Sequence, residues 1–104
     1  MKQIHVTVFG MIQGVGYRYF ISQKAKELRL NGWIKNKKDG NVEAVFQTQP
    51  FSPFGQPITD QEAEMTIQKM LGFCKEGPTG VSVVNIESKW EDAEDEKFDT
   101  FEVR

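Results

Sequence analysis

The chain has 104 residues, 38% hydrophobic and 27% charged, with a net charge of −2. That length supports one hydrophobic core and not two, so a single domain over residues 1–104 is expected. The weak charge argues against a broad nucleic-acid footprint, no apolar run approaches the roughly 18 residues of a membrane span, and a lone cysteine, Cys74, forbids an internal disulfide and a thiolate metal centre.

Residues 2–9 alternate as a strand, with Ile4, Val6 and Val8 on one face and His5, Thr7 and Phe9 on the other. The N-terminus runs straight into this strand without a signal peptide's apolar core, so a reducing cytoplasm is the expected setting. His5, the only histidine, comes too early in the strand to reach the loop that follows and reads as an ordinary surface or packed residue. Beyond Gly10, Gly14 and Gly16 the period changes. Tyr17, Phe20, Ile21, Ala25 and Leu28 form one stripe of a helix over about 15–28, with Ser22, Gln23, Lys26 and Arg29 on the wet side. Lys24 falls within the stripe, its stem expected along the sheet and its ammonium at the water's edge.

A strand that breaks into glycines and reopens as a helix leaves backbone N–H groups converging on a concavity that favours anions. Arg18, in the first turn, adds a planar fork able to grip two phosphate oxygens. The same pattern also describes a plain turn followed by a solvated arginine. The loop lacks the G-K-[ST] ending of a Walker A loop and the glycine spacing of a dinucleotide fingerprint.

Asn31-Gly32 is expected to end the helix through a left-handed turn. Residues 33–48 read as a hairpin around Asp39-Gly40. Asn36 lies near that turn; its amide offers a donor and an acceptor, which suits either a backbone contact or the holding of a water. Lys35, Lys37 and Lys38 around it read as solvated lysines that can also lend a weak positive field. Residues 49–58 carry Pro50, Pro53, Gly55 and Pro57, which forbid regular structure. Phe51 and Phe54 in this segment are expected to pack on the sheet edge or to be mobile.

Thr59-Asp60-Gln61-Glu62 has the form of a capping box. The helix it opens runs to about Lys75 with Ala63, Ile67, Met70, Leu71 and Cys74 as its stripe; Cys74 reads as a small buried hydrophobe, Met65 and Met70 as gap-fillers. Gly77-Pro78 stops it. Residues 81–91 form a fourth strand whose phase slips between Val83 and Ile86, implying a bulge, or a change of which face is covered, near Val84. The acidic run 91–96 reads as a solvated connector, without the glycine and spacing of a calcium loop. Residues 98–104 close the chain as a strand. The order strand, helix, strand, strand, helix, strand is that of a ferredoxin-like α+β sandwich: an antiparallel sheet, five-stranded with the closing strand, and two helices on one face.

Gly10-x-Ile12-Gln13-Gly14-Val15-x-Tyr17-Arg18 resembles the first signature of the acylphosphatase family, and Gly32-Trp33-Ile34-Lys35-Asn36-x-x-Asp39-Gly40-x-Val42-Glu43 resembles the second. The two stand in the family's order and spacing, and Phe101-x-Val103-Arg104 resembles its closing strand. The resemblance implies the same fold and a small enzyme, free of metal and cofactor, that hydrolyses the carboxyl-phosphate bond of acyl phosphates. It carries over Arg18 as the phosphate-binding residue, Asn36 as the water-orienting residue, and Gln13, Gly14, Val15, Gly16, Tyr17 and Arg18 as the phosphate-binding loop. Tyr17 stands where the family often has phenylalanine, a change expected to be neutral. The longer segment 49–58 is the main departure, and packing of Phe51 and Phe54 over a substrate's acyl group is the alternative to their packing on the sheet edge. The partner implied is a small-molecule acyl phosphate, with no nucleic acid and no membrane, and a monomer is expected. A binding module that holds an anion without hydrolysing it is the alternative. A sheet that binds single-stranded RNA is disfavoured, because 41–46 lacks the aromatic and basic residues such a strand needs.

Overall fold

A computed structural model describes residues 2–14, 16–93 and 96–104. The elements are β1 (Lys2–Met11), α1 (Tyr17–Glu27), β2 (Asn31–Asn36), β3 (Val42–Gln47), α2 (Asp60–Glu76), β4 (Ser82–Asp92) and β5 (Phe101–Val103). They form one sheet in the order β4-β1-β3-β2-β5. The period-two alternation of β1 puts Ile4, Val6 and Val8 in the core with Ile34, Ala44 and Phe46 from the neighbouring strands. Ile21 and Ala25 of α1 and Ile67, Met70 and Cys74 of α2 complete that core, so both helices lie on one face.

The sheet is mixed rather than wholly antiparallel. β1, β2, β3 and β4 pair antiparallel, but β5 joins β2 in parallel, Gly32 against Phe101 and Ile34 against Val103. Buried Gln47 fixes the approach to β5: Nε2 donates to the Glu96 carbonyl (2.6 Å) and Oε1 accepts from the Phe98 N–H (3.1 Å). Asn31 Nδ2 donates to the Phe98 carbonyl (2.9 Å), and Phe101 stacks on Phe46 with ring centroids 5.5 Å apart. The acidic run is therefore anchored at Glu96 and at buried Ala93 rather than wholly solvated; Glu94 and Asp95 lie outside the described residues.

The register of β4 on β1 shifts between Phe9 and Gly10, which face Asn85 and Val83, so Val84 is the extra residue of a bulge. At the end of α1 the positive-φ residue is Arg29 (φ 57), not glycine. Gly32 sits inside β2 instead, where a Cβ would collide with the Val45 carbonyl of β3. Lys24 does not lie along the sheet; its ammonium sits 4.8 Å from the Phe73 ring of α2 and 3.5 Å from Glu27, in the helix–helix seam. Ser22, expected to be wet, is buried: α1 rests on both β2 and β5, so a wider arc of the helix is covered. Met65 is exposed rather than filling a gap.

Segment 49–58 is a small self-bonded turn. Phe51 bridges Pro57, and Ser52 Oγ accepts from the N–H groups of Phe54 and Gln56 (both 3.2 Å). Arg29 at the C-terminal end of α1 holds it through Gln49 Oε1 (2.7 Å). Phe54 projects into solvent at 90% exposure, so it does not pack on the sheet edge.

Candidate active site

The loop after β1 and the hairpin turn after β2 meet at one end of the sheet. A cavity of about 340 Å³ opens there, lined by Ile12, Gln13, Gly14, Gly16, Tyr17, Arg18, Tyr19, Asn36 and Val103. Residues from both sequence motifs thus share one concavity; Val15 lies outside the described residues. Arg18 is the only charged residue among those lining it.

The positive character of the site starts in the backbone. Gly14 (φ 81) and Gly16 (φ 79) take left-handed conformations that L side chains rarely adopt. Gly16 is the N-cap of α1; no side chain caps this helix start and its first turn holds no acidic residue. The first intrahelical bond runs from the Phe20 N–H to the Gly16 carbonyl (3.0 Å), which leaves the amides before it to the cavity end of the helix. Arg18 Nη1 donates to the Arg104 carbonyl oxygen (2.7 Å). The guanidinium has five N–H donors, so this anchor steadies the fork without exhausting it. Arg104 is in turn held by its N–H on the Ile34 carbonyl (2.8 Å), so the parallel β2–β5 pairing is what supplies the anchor.

Asn36 is the last residue of β2, paired with Val42 of β3. Its Oδ1 is buried and has no hydrogen-bond partner among the described residues. A buried amide oxygen left unpaired costs about 1–3 kcal/mol, so it marks a place where an acceptor is wanted. The turn beyond Asn36 is built by Asp39, whose Oδ1 accepts from the Asn41 N–H (3.0 Å). That bond holds the Asp39 carboxyl below the usual range against the opposing effect of desolvation, with further help from Lys37. Lys37 pairs with Asp39 (3.8 Å) and Lys35 with Glu43 (3.5 Å), so neither lysine is a bare charge at the mouth.

Two side chains make contacts that the sequence alone does not show. The Gln13 side chain, at the opening of the loop, reaches across to the β2–β3 turn: Nε2 donates to the carbonyls of Lys37 (2.9 Å) and Asn41 (3.0 Å). The Tyr17 hydroxyl is not idle: it donates to the Cys74 carbonyl (2.8 Å) and ties the start of α1 to the end of α2. Burial, with Cys74 alongside, raises the Tyr17 phenol above its ordinary value, and burial pushes the Cys74 thiol up to about 12. Both groups stay neutral and neither is an activated nucleophile. His5 lies along β1 and shares a 2.6 Å contact with Glu43 on the open sheet face. Among the described residues no three His, Cys, Asp or Glu come together as a metal would require, and no helix is long and apolar enough to cross a membrane.

The acylphosphatase family model matches residues 4–53. An acylphosphatase of Haloarcula marismortui is 40% identical over 100 residues, 96% of this chain and 92% of that one. The crystal structure of an acylphosphatase from Bacillus subtilis superposes with a TM-score of 0.81 at 27% identity, covering 100% of this chain and 99% of that one. The structure of an acylphosphatase from Coxiella burnetii does so with a TM-score of 0.76 at 34% identity, covering 99% and 92%.

Proposed function

Because the chain belongs to the acylphosphatase family, whose hydrolases cleave acyl phosphates, we propose that this cavity holds the phosphoryl group and aims a water at it. The backbone N–H groups of Gly14, Gly16, Tyr17 and Arg18, with the Arg18 fork, surround the equatorial oxygens. Asn36 offers its unpaired Oδ1 to a water proton and so turns the water's lone pair toward phosphorus. Attack in line forms the new O–P bond as the bond to the acyl oxygen breaks, giving carboxylate and inorganic phosphate. The leaving carboxylate is a weak base, so no general acid is needed, and catalysis is positioning and charge stabilisation. A binding module that only held an anion would have no use for the buried, unpaired Oδ1.

The juxtaposition of Arg18 with Asn36, whose carboxamide oxygen lacks a partner, carries this reading. We read the 104 residues as one domain with 49–58 as an insertion, on the strength of one continuous sheet and one core. A monomer suffices, since one chain supplies the lining; the lone buried thiol of Cys74 suits a cytoplasmic setting.

Hydrolysis of benzoyl phosphate, followed by absorbance, tests the reading. Arg18→Gln lowers kcat/KM by about 1,000-fold, and Arg18→Lys does not restore it, because a point charge cannot make two parallel bonds. Asn36→Ala lowers kcat while inhibition by inorganic phosphate is retained. Full turnover in Asn36→Ala, or in either Arg18 variant, overturns the assignment.

A further inference from the structure

We propose that Gln13 is a positioning residue: it clips the anion loop to the β2–β3 turn and so sets the distance between the bound phosphoryl group and the water on Asn36. The proposal rests on the roles given above to the loop and to Asn36. Gln13 directly precedes Gly14, the first glycine of the cradle, and Lys37 directly follows Asn36. The two hydrogens of one amide span these neighbours, Nε2 donating to the Lys37 and Asn41 carbonyls at 2.9 and 3.0 Å. Those carbonyls are also the ones that close the turn: Lys37 O accepts from the Gly40 N–H (3.2 Å) and Asn41 O from the Lys37 N–H (2.8 Å). Gln13 therefore grips the rigid part of the turn.

The loop needs such a grip. A Cβ built on Gly14 or Gly16 would meet nothing within 4 Å, so neither glycine is wedged against a neighbour on that side. Glycines are also the residues with most freedom to drift. The phosphoryl group is to be held by this loop and the water by the hairpin, two separate pieces of chain. In-line attack tolerates little misplacement; about 1 Å can cost 100-fold. The clip is solvent-exposed, so its loss is a small matter for stability and a larger one for alignment.

A double-mutant cycle on benzoyl phosphate turnover separates positioning from simple reinforcement. Gln13→Met removes both donors; Gln13→Asn keeps the amide but is one methylene too short to reach both carbonyls, and it carries the test if the first variant does not fold. Each is expected to lower kcat by about tenfold while the inhibition constant of inorganic phosphate moves by less than about twofold. In an Asn36→Ala background the same changes are expected to cost less than about twofold, because no aimed water remains to be misaligned. Wild-type kcat in Gln13→Asn, equal losses in both backgrounds, or phosphate inhibition weakened in step with kcat would each overturn the clip alone. Unchanged turnover in Asn36→Ala by itself would remove the water-orienting role and the clip with it.

Discussion

The two helices of this chain begin in opposite ways. At the start of α2, Thr59 is extended (φ −74, ψ 160), its Oγ1 accepts from the Glu62 N–H (3.1 Å), and Glu62 Oε1 accepts from the Thr59 N–H (3.1 Å). Asp60 and Glu62 put two carboxylates in that first turn. At the start of α1, Gly16 is left-handed, no side chain caps the turn, no acid stands in it, and its second residue is Arg18. With glycine at the N-cap, the missing side-chain cap forgoes only about a few tenths of a kcal/mol, and a missing anion about 0.3–1 kcal/mol more. One end is finished for stability by its own side chains. The other is left bare and positive, and in the proposed site the substrate's phosphoryl group takes the place that Thr59 and Glu62 fill at α2.

Supplying α1 with its own anion breaks this contrast most severely. Gly16→Asp has open room for its Cβ, and aspartate tolerates left-handed backbone better than most residues, so the strain at φ 79 is expected to cost some stability while the chain still folds. The carboxylate then occupies the space meant for phosphate, and kcat/KM falls by about 100-fold or more. Thermal unfolding gives a second reading. Inorganic phosphate at about 100 times its dissociation constant stabilises the wild type by about 2.7 kcal/mol, several degrees in Tm, and leaves Gly16→Asp unmoved. Equal shifts in both proteins would mean that phosphate binds away from α1.

The capping box of α2 could be read directly because Thr59 and Glu62 are neighbours in the chain. The Val84 bulge was equally legible, since a phase slip is a local property of β4. What the sequence could not show depends on neighbours distant along the chain. Gly32 is small because the Val45 carbonyl presses on it from β3, not because a helix ends there. β5 runs parallel because Gln47 and Asn31 capture the Phe98 segment. Lys24 turns into the helix seam because Phe73 of α2 awaits it there. At the site, the glycines and Arg18 announced an anion-binding loop, but only the family resemblance linked Asn36 to it. Gln13 was assigned to the loop without any sign that its side chain crosses to another turn, because nothing local separates those uses of an amide.

Removing the finished end of the comparison has a smaller and different effect. Thr59→Ala leaves the Glu62 N–H without its acceptor and costs about 1 kcal/mol of unfolding free energy, measured by urea denaturation. Turnover of benzoyl phosphate should stay within about twofold of wild type, because the cap contributes stability rather than transition-state contacts. A loss of turnover matching that of a cavity residue would show that the two helix starts are not energetically separate.

Asp60→Asn gives the smallest effect and tells charge from hydrogen bonding at α2. Asp60 is exposed in the first turn, and its carboxylate acts on the helix dipole through space. Removing the charge lowers Tm by roughly 2 °C at low ionic strength. In 1 M salt, where the screening length shrinks to about 3 Å, that difference should close. The Thr59→Ala deficit should persist under the same salt, because a direct hydrogen bond between a neutral hydroxyl and an amide carries no net charge for salt to screen. The bare end of α1 should follow the charge-like pattern, since its anion comes from solution: salt should weaken phosphate's stabilisation of the wild type while leaving the capping box intact. If salt left the phosphate effect untouched, the guanidinium and amides would be acting through fixed short-range bonds alone, and the dipole's share in the contrast between the two helices would be nil.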